Sequence, residues 1–289
     1  MEFVSATSKE EALDRLDRFG PDLQVIAGGT DVMVQLAMKQ LAPKVLLHVE
    51  RIPNLDQIST ADSIAIGGLT TQRMLAESGL VAARFPALRK AASLSGGWQT
   101  QSVGTIAGNV CNASPAADLT PVLFAHDAVV LLESKSRGER RVPITEFVVG
   151  RRKTIREPDE LVTSFELAIP SLGSADAFEK VGRRGAMEIS IANLALRITF
   201  SNCGMVTDAR IAVGSVGAVA YRAVEAETLL INEHLSPNLI AEAAQLVISR
   251  ASPIDDVRGT REYRLRVLPR IFEHSLRQCA ARAQAERMN

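Results

Sequence analysis

Two glycine-bearing stretches carry the residues best suited to chemistry. The first, residues 25–32, reads VIAGGTDV between an apolar run over 23–27 and an amphipathic run over 32–39. That order spells strand, loop, helix. Gly28 and Gly29 lack a Cβ and tolerate positive φ, so a ligand can come close to their backbone. Thr30 adds a hydroxyl, and the amides that open a helix have no internal partner and favour an anion. The stretch reads either as a cradle for a phosphate or diphosphate or as a plain tight turn from strand to helix.

The second stretch, residues 104–112, reads GTIAGNVCN and runs into ASPAAD over 113–118. Small residues and hydroxyls again crowd ahead of a helix, predicted over 115–126. Ser114 suits its N-cap and Pro115 its first position. By itself this is equally an ordinary glycine turn before a capped helix. Together, two such loops can grip one long dianionic ligand from two sides.

AGGTD (27–31), GTIAGN (104–109) and ASPAAD (113–118), in this order, resemble the paired flavin-binding motifs of the FAD subunit of the molybdenum hydroxylases, the family of xanthine dehydrogenase and aerobic carbon monoxide dehydrogenase. DVRGTREYR (256–264) resembles the segment that opens the family's last helix, so the likeness covers nearly the whole chain. It implies an α+β fold: a vanillyl-alcohol-oxidase-type FAD-binding fold of two α/β subdomains, then a C-terminal domain with a three-stranded antiparallel sheet and helices. It also implies noncovalent FAD.

Carried over by motif, the first loop would wrap the diphosphate through the backbone of Ile26, Ala27, Gly28, Gly29, Thr30, Asp31 and Val32. Asp31, a carboxylate beside a diphosphate, is expected to cap the following helix and point away from the phosphates. Thr105, Gly108 and Asn109 would contact the other side, with Gly104 and Ala107 keeping the backbone close. Asp118 would accept hydrogen bonds from flavin hydroxyls, and Lys180 would stand by the isoalloxazine, where an exposed surface lysine is the alternative. Three positions depart from the pattern. Gln99, Thr100, Gln101 and Ser102 replace the usual QIRN, Ala107 stands where glycine is common, and Glu188 replaces an aspartate.

The rest of the chain sets the frame. At 289 residues and 46% hydrophobic it fits two or three compact domains. Lys plus Arg and Asp plus Glu are 33 each, which gives no electrostatic case for nucleic acid or an anionic membrane. No signal-peptide pattern follows Met1 and no apolar run suits a bilayer span, so the expected location is cytoplasmic. Cys111, Cys203 and Cys279 are too scattered for an iron–sulfur cluster or a zinc site, and the four histidines show no ligand spacing. Cys111, inside the second loop, either approaches the ligand or fills a tight turn.

The patterning divides the chain into 1–54, 55–172 and 173–289, which the resemblance implies are FAD-binding subdomain 1, FAD-binding subdomain 2 and a C-terminal flavoprotein domain. In the first, strands are predicted near Phe3 and over 23–27 and 44–49, with helices from Ser8 and over 32–40. The second holds strands over 63–67, 128–133, 140–143 and 161–169 and a helix opened by residues 68–71 and running to about 77, with another over 87–94. The third has strands over 177–182 and 189–200, a strand pair within 205–214, and helices over 222–230, 238–251 and 260–285. The charge cluster Arg151-Arg152-Lys153 reads as a solvated loop, or alternatively as a docking point for a partner subunit.

The function implied by the resemblance is electron transfer. A small partner subunit would carry two [2Fe–2S] clusters and a large one molybdopterin, in a dimer of heterotrimers. This chain's FAD would pass electrons from the clusters to an external acceptor. A self-sufficient FAD-dependent reductase of the same fold and a flavin-free assembly protein are the alternatives.

Overall fold

The computed structural model describes residues 1–185 and 187–288. Its first layer is a three-stranded parallel sheet. β1 (Glu2–Ser5) and β2 (Leu23–Ile26) flank β3 (Val45–His48), with α1 (Lys9–Phe19) and α2 (Val32–Ala37) as crossovers. α1 starts where Ser8 accepts from the Glu11 amide at 3.1 Å, and it buries Ala12, Leu13 and Leu16 at helical spacing. α2 buries none of its residues within the chain.

The second layer is a five-stranded sheet in the order β4-β5-β10-β6-β7, antiparallel throughout: β4 (Ile58–Thr60), β5 (Ser63–Gly67), β6 (Val129–Ser134), β7 (Gly138–Pro143) and β10 (Glu160–Ala168). Between β5 and β6 run α3 (Gln72–Glu77), α4 (Gly79–Arg84), α5 (Pro86–Leu94), α6 (Trp98–Val103), α7 (Ile106–Cys111) and α8 (Leu119–Ala125). After β7 come α9 (Ile144–Phe147) and a small hairpin, β8 (Val148–Gly150) with β9 (Lys153–Thr154).

The third layer is an antiparallel sheet of β11 (Ser174–Val181), β12 (Ala192–Phe200), β13 (Val206–Gly214) and a two-residue edge strand, β14 (Tyr221–Arg222). α10 (Val224–Leu230), α11 (Pro237–Val247) and α12 (Arg261–Met288) follow. The sheet is buried on both faces, yet β12 (ANLALRITF) alternates, with Leu194, Leu196, Ile198 and Phe200 on one face and Asn193, Ala195, Arg197 and Thr199 on the other. Leu194, Leu196 and Ile198 face the core shared with α10–α12, while Ala195, Ala212 and Phe178 belong to the core of the second layer. Small side chains on that second face let α5 and α8 pack against the sheet.

Several expected elements differ. Residues 206–214 form one strand, not a pair, and the three long strands gain β14 as a fourth. The stretch expected as the second glycine loop is mostly helix, α7, because Thr105 caps it through the Gly108 amide at 3.0 Å. α8 begins at Leu119 rather than at Pro115. Residues 113–117 are spent on a turn in which Ser114 accepts from the Ala116 amide (3.3 Å) and Ala113 takes φ 45°. α4, α6, β4 and the β8–β9 hairpin, short and weakly periodic, were not foreseen from the pattern. Among the described residues, no helix is long and apolar enough to cross a membrane, and no group of three or more His, Cys, Asp or Glu is placed to hold a metal ion.

Candidate flavin cleft

The first loop begins where β2 stops pairing: the Ile26 carbonyl still accepts from the Val49 amide at 3.0 Å, and then the chain turns off the sheet. Gly28 is forced by contact. A Cβ there would lie 2.0 Å from the Val103 carbonyl oxygen, at the end of α6. Gly29 is forced by conformation, at φ +70°. Through this turn the amides of Gly28, Gly29, Thr30, Asp31 and Val32 donate to no protein acceptor among the described residues. Bonding resumes with Met33 N to Gly29 O and Gln35 N to Asp31 O, both 3.0 Å. Consecutive free amides are an anion site in waiting.

The second stretch is built differently. Gly104 lies between the Gln72 amide, which donates to its carbonyl at 2.9 Å, and the Thr100 carbonyl, which takes its N–H at 2.7 Å. The first amides of α7 are already bound: Ile106 to Thr70 O (2.9 Å), Ala107 to Gly68 O (3.1 Å), Gly108 to Thr105 Oγ1 (3.0 Å) and Asn109 to Thr105 O (3.0 Å). Besides the Thr105 amide, only side chains remain for a ligand. Thr105 accepts the Gly108 bond and keeps its own proton to give, and Asn109 Oδ1 is buried with no partner.

The two stretches are tied by side chains. Asn112, at the end of α7, donates Nδ2 to Asp31 Oδ1 at 2.9 Å. Its Oδ1 accepts from Gln35 Nε2 (3.2 Å) and Arg152 Nη1 (2.9 Å). This corrects the role expected of Asp31. It occupies the N-cap position of α2 but makes no capping bond, because its helical φ −104°, ψ −46° is not the extended geometry that aims a side chain at the next amides, and Asn112 takes the carboxylate instead.

Together these elements enclose a cleft of about 430 Å³, with Ala27–Val32 on one wall and Gly104, Thr105, Ala107, Gly108 and Asn109 on another. The β8–β9 hairpin and the turn after it complete it with Arg152, Lys153 and Arg156. The residues of the cluster at 151–153 are exposed, as a solvated loop would have them, and Arg152 and Lys153 also line the cleft because the hairpin carries them there. Arg156 is positioned by backbone carbonyls, Glu160 O at 2.8 Å and Glu157 O at 3.1 Å, so its charge is not neutralised by them. Of the two cleft carboxylates, Glu160 is committed to Arg140 at 2.6 Å. Burial pushes its pKa up, but Arg140 and the Glu157 amide outweigh that and hold it below the ordinary value. Cys111 is also on the wall. Burial, opposed only partly by Arg156, pushes its thiol up to about 11, so at neutral pH it is a neutral thiol.

Ile26, Asp118 and Lys180 are not on this wall. The Ile26 side chain lies beside Gly29. Lys180 Nζ donates to Asp118 Oδ2 at 2.6 Å and to the Leu94 carbonyl at 2.8 Å, and Asn193 Nδ2 reaches Asp118 Oδ1 at 3.1 Å. Burial raises the Asp118 carboxyl, with Lys180 first and then Asn193 opposing it. Both carboxylate oxygens therefore already have protein donors, and the lysine is a buried partner joining β11 to the start of α8, not an exposed surface residue.

Free amides and uncommitted cations are what a dinucleotide diphosphate requires, and the orphaned Asn109 Oδ1 can accept from a hydroxyl of the same ligand. Residues 1–171 match the family described as the FAD binding domain in molybdopterin dehydrogenase, and residues 176–279 match the CO dehydrogenase flavoprotein C-terminal domain. The chain belongs to this family of molybdopterin dehydrogenase flavoproteins. Among its relatives, the 6-hydroxypseudooxynicotine dehydrogenase complex subunit alpha of Paenarthrobacter nicotinovorans is 35% identical, over 98% of this chain and 95% of the relative. The glyceraldehyde dehydrogenase medium chain of Sulfolobus acidocaldarius is 32% identical over 92% and 93%. A chain of carbon monoxide dehydrogenase from Hydrogenophaga pseudoflava superposes with a TM-score of 0.93 at 28% identity, covering 98% of both chains. The flavoprotein assignment, the FAD cofactor and the oxidoreductase class follow from this membership, as does the fold.

Proposed function

We propose that this chain is the FAD-carrying electron-transfer subunit of a molybdenum hydroxylase complex. It would take electrons from [2Fe–2S] clusters of a small partner, which receives them from a molybdopterin-bearing large partner, and deliver them to an external acceptor. A dimer of such heterotrimers in the cytoplasm is part of this reading, as is the division of the chain at 54 and 172. Several relatives are named as medium chains or complex subunits, which supports the placement in a larger assembly.

The observation that carries the cofactor's placement is the run of free amides from Gly28 to Val32 facing the orphaned Asn109 Oδ1 across one cleft. These amides would hold the diphosphate, with Ile26 and Ala27 leading the chain into the turn. Arg152, Lys153 and Arg156 would neutralise its charge. Thr105 Oγ1 and Asn109 Nδ2 would donate to it from the second side, leaving Asn109 Oδ1 to accept from a hydroxyl of the ligand, with Gly104, Ala107 and Gly108 keeping that backbone close. The Asp118–Lys180 pair would flank the flavin end as a fixed charge pair rather than as a free acceptor. When bound, FAD supplies redox chemistry that joins two-electron and one-electron carriers. The protein's share is to bind, orient and shield it.

The test uses the FAD-loaded chain under anaerobic conditions. Heteroaromatic and aldehyde substrates should leave its flavin oxidised, and adding the iron–sulfur and molybdenum subunits should let one of those substrates bleach it. Rapid bleaching of the lone chain would overturn the relay reading in favour of a self-sufficient reductase.

A further inference from the structure

Where the first loop, α7 and the β8–β9 hairpin meet, their side chains converge on Asn112. Its Nδ2 donates to Asp31 Oδ1 at 2.9 Å, and its Oδ1 accepts from Gln35 Nε2 at 3.2 Å and Arg152 Nη1 at 2.9 Å. The partners belong to the first loop, to α2 and to the hairpin. They also fix which way round the amide stands. A guanidinium can only donate and a carboxylate can only accept, so Oδ1 must face Arg152 and Nδ2 must face Asp31. A flip would set oxygen against oxygen and N–H against N–H.

Asp31 is the one carboxylate within the run of free amides from Gly28 to Val32, and it lines the same cleft. Among the described residues its carboxylate pairs with no cation, and Asn112 is its only hydrogen-bond donor. An aspartate side chain left unheld bonds to its own or neighbouring backbone amides. Here those amides have no protein acceptor, so a released carboxylate would occupy donors that an incoming anion needs. It would also set a like charge beside that anion. Asn112 has a second effect, on Arg152. Because the guanidinium is aimed by a neutral amide oxygen and, among the described residues, has no carboxylate partner, its charge stays available to the cleft.

We propose that Asn112 is a positioning residue of the cleft, which holds the Asp31 carboxylate off the first-loop amides so that they admit a diphosphate, and aims Arg152 without cancelling its charge. It acts through Asp31 and Arg152 rather than on the ligand. This role rests on the diphosphate placement proposed above, and it is independent of where the electrons come from or go.

The experiment titrates the flavin-stripped full chain with FAD, read by fluorescence, in a double-mutant cycle of Asn112 and Asp31. Asn112→Asp keeps an acceptor for Gln35 and Arg152 but sets a second carboxylate against Asp31, and FAD should bind at least about tenfold more weakly. Adding Asp31→Asn restores a donor–acceptor pair with its roles exchanged. Asp31→Asn should therefore improve FAD affinity at least about tenfold more in the Asn112→Asp background than in the parent. A side chain that served the fold alone would give no such recovery. Should Asn112→Asp not fold, Asn112→Ala crossed with Asp31→Asn carries the same test, with recovery of at least about threefold, since the aim of Arg152 is not restored. Gly29→Val checks the placement itself: full flavin occupancy there would remove the cradle and this role with it. Loss of FAD in Gly29→Val together with additive effects in the cycle, or with parent-like affinity in Asn112→Asp, would overturn the role of Asn112 and leave the cradle standing.

Discussion

In the first loop the amides from Gly28 to Val32 donate to nothing among the described residues, whereas in the second stretch every amide from Ile106 to Asn109 is spent on Thr70, Gly68 or Thr105. The two segments share composition and placement before a helix. The difference lies in what stands opposite. The first loop leaves the edge of its sheet and faces an open cleft, and the second is clamped against the turn at 68–71 by an isolated bridge between Thr71 and Thr105. Glycine and hydroxyl content thus marks a place where backbones come close. Whether the close partner is a ligand or another stretch of the same chain is decided by tertiary contacts. Here the first loop is a backbone cradle and the second a side-chain hand.

The largest effect should come from the point where the two regions touch. A Cβ at Gly28 meets the carbonyl oxygen and carbon of Val103 at 2.0 and 2.4 Å, and neither is a flexible side-chain end that can swing aside. Gly28→Ala should lower stability by about 1–3 kcal/mol in chemical denaturation and leave the protein without flavin. Parent-like stability would show that the loops do not pack as described.

Next is Gly29→Val, which attacks the cradle alone. The strain at φ +70° costs on the order of 1–3 kcal/mol, but the nearest atoms to a new Cβ, Met33 Cγ at 3.1 Å and Ile26 Cδ1 at 3.3 Å, belong to side chains that can yield. The variant should fold and purify colourless. Full flavin occupancy would mean that this loop is not the diphosphate grip.

Asn109→Leu sharpens the contrast from the other side. Its Oδ1 has no protein partner, so the flavin-free variant should be as stable as the parent or slightly more so, while FAD binds roughly ten- to a hundredfold more weakly by fluorescence titration. Equal loss of stability and affinity would assign Asn109 to the fold instead.

The smallest effect concerns Cys111. Its thiol, pushed up to about 11 chiefly by burial, should resist alkylation at neutral pH while the exposed Cys203 is modified, as read by peptide mass spectrometry. Reactivity at Cys111 should appear only as the pH climbs towards that value, and early modification would show the end of α7 to be wetter than the cleft geometry implies.

How much of this the sequence disclosed follows from the range of the forces involved. Local signals were legible. The start of α1 at Ser8, the strand at 63–67 and the turn at Gly28–Gly29 each depend on neighbours within a few residues. The motif order located both walls of the cleft. What stayed hidden depends on long-range partners. Arg152 reaches Asn112 across 40 positions of sequence, and Asp31 turns to Asn112 rather than to its own helix. The buried Asp118–Lys180 pair spans the seam between α8 and β11, so neither member could be seen from its own segment as already engaged. α7 was hidden for a different reason: its six residues include a glycine and a β-branched valine, a pattern that reads as loop until Thr105 is seen to cap it.

Amide hydrogen exchange, compared between the FAD-loaded and the flavin-stripped chain, tests the central claim most directly. The amides of Gly28 to Val32 have only water to bond in the stripped protein and the diphosphate in the loaded one, so their protection should appear with FAD. The amides of Ile106 to Asn109 are bound within the protein in either state and should be protected in both. Protection gained instead at 106–109, with 28–32 unchanged by FAD, would contradict the account.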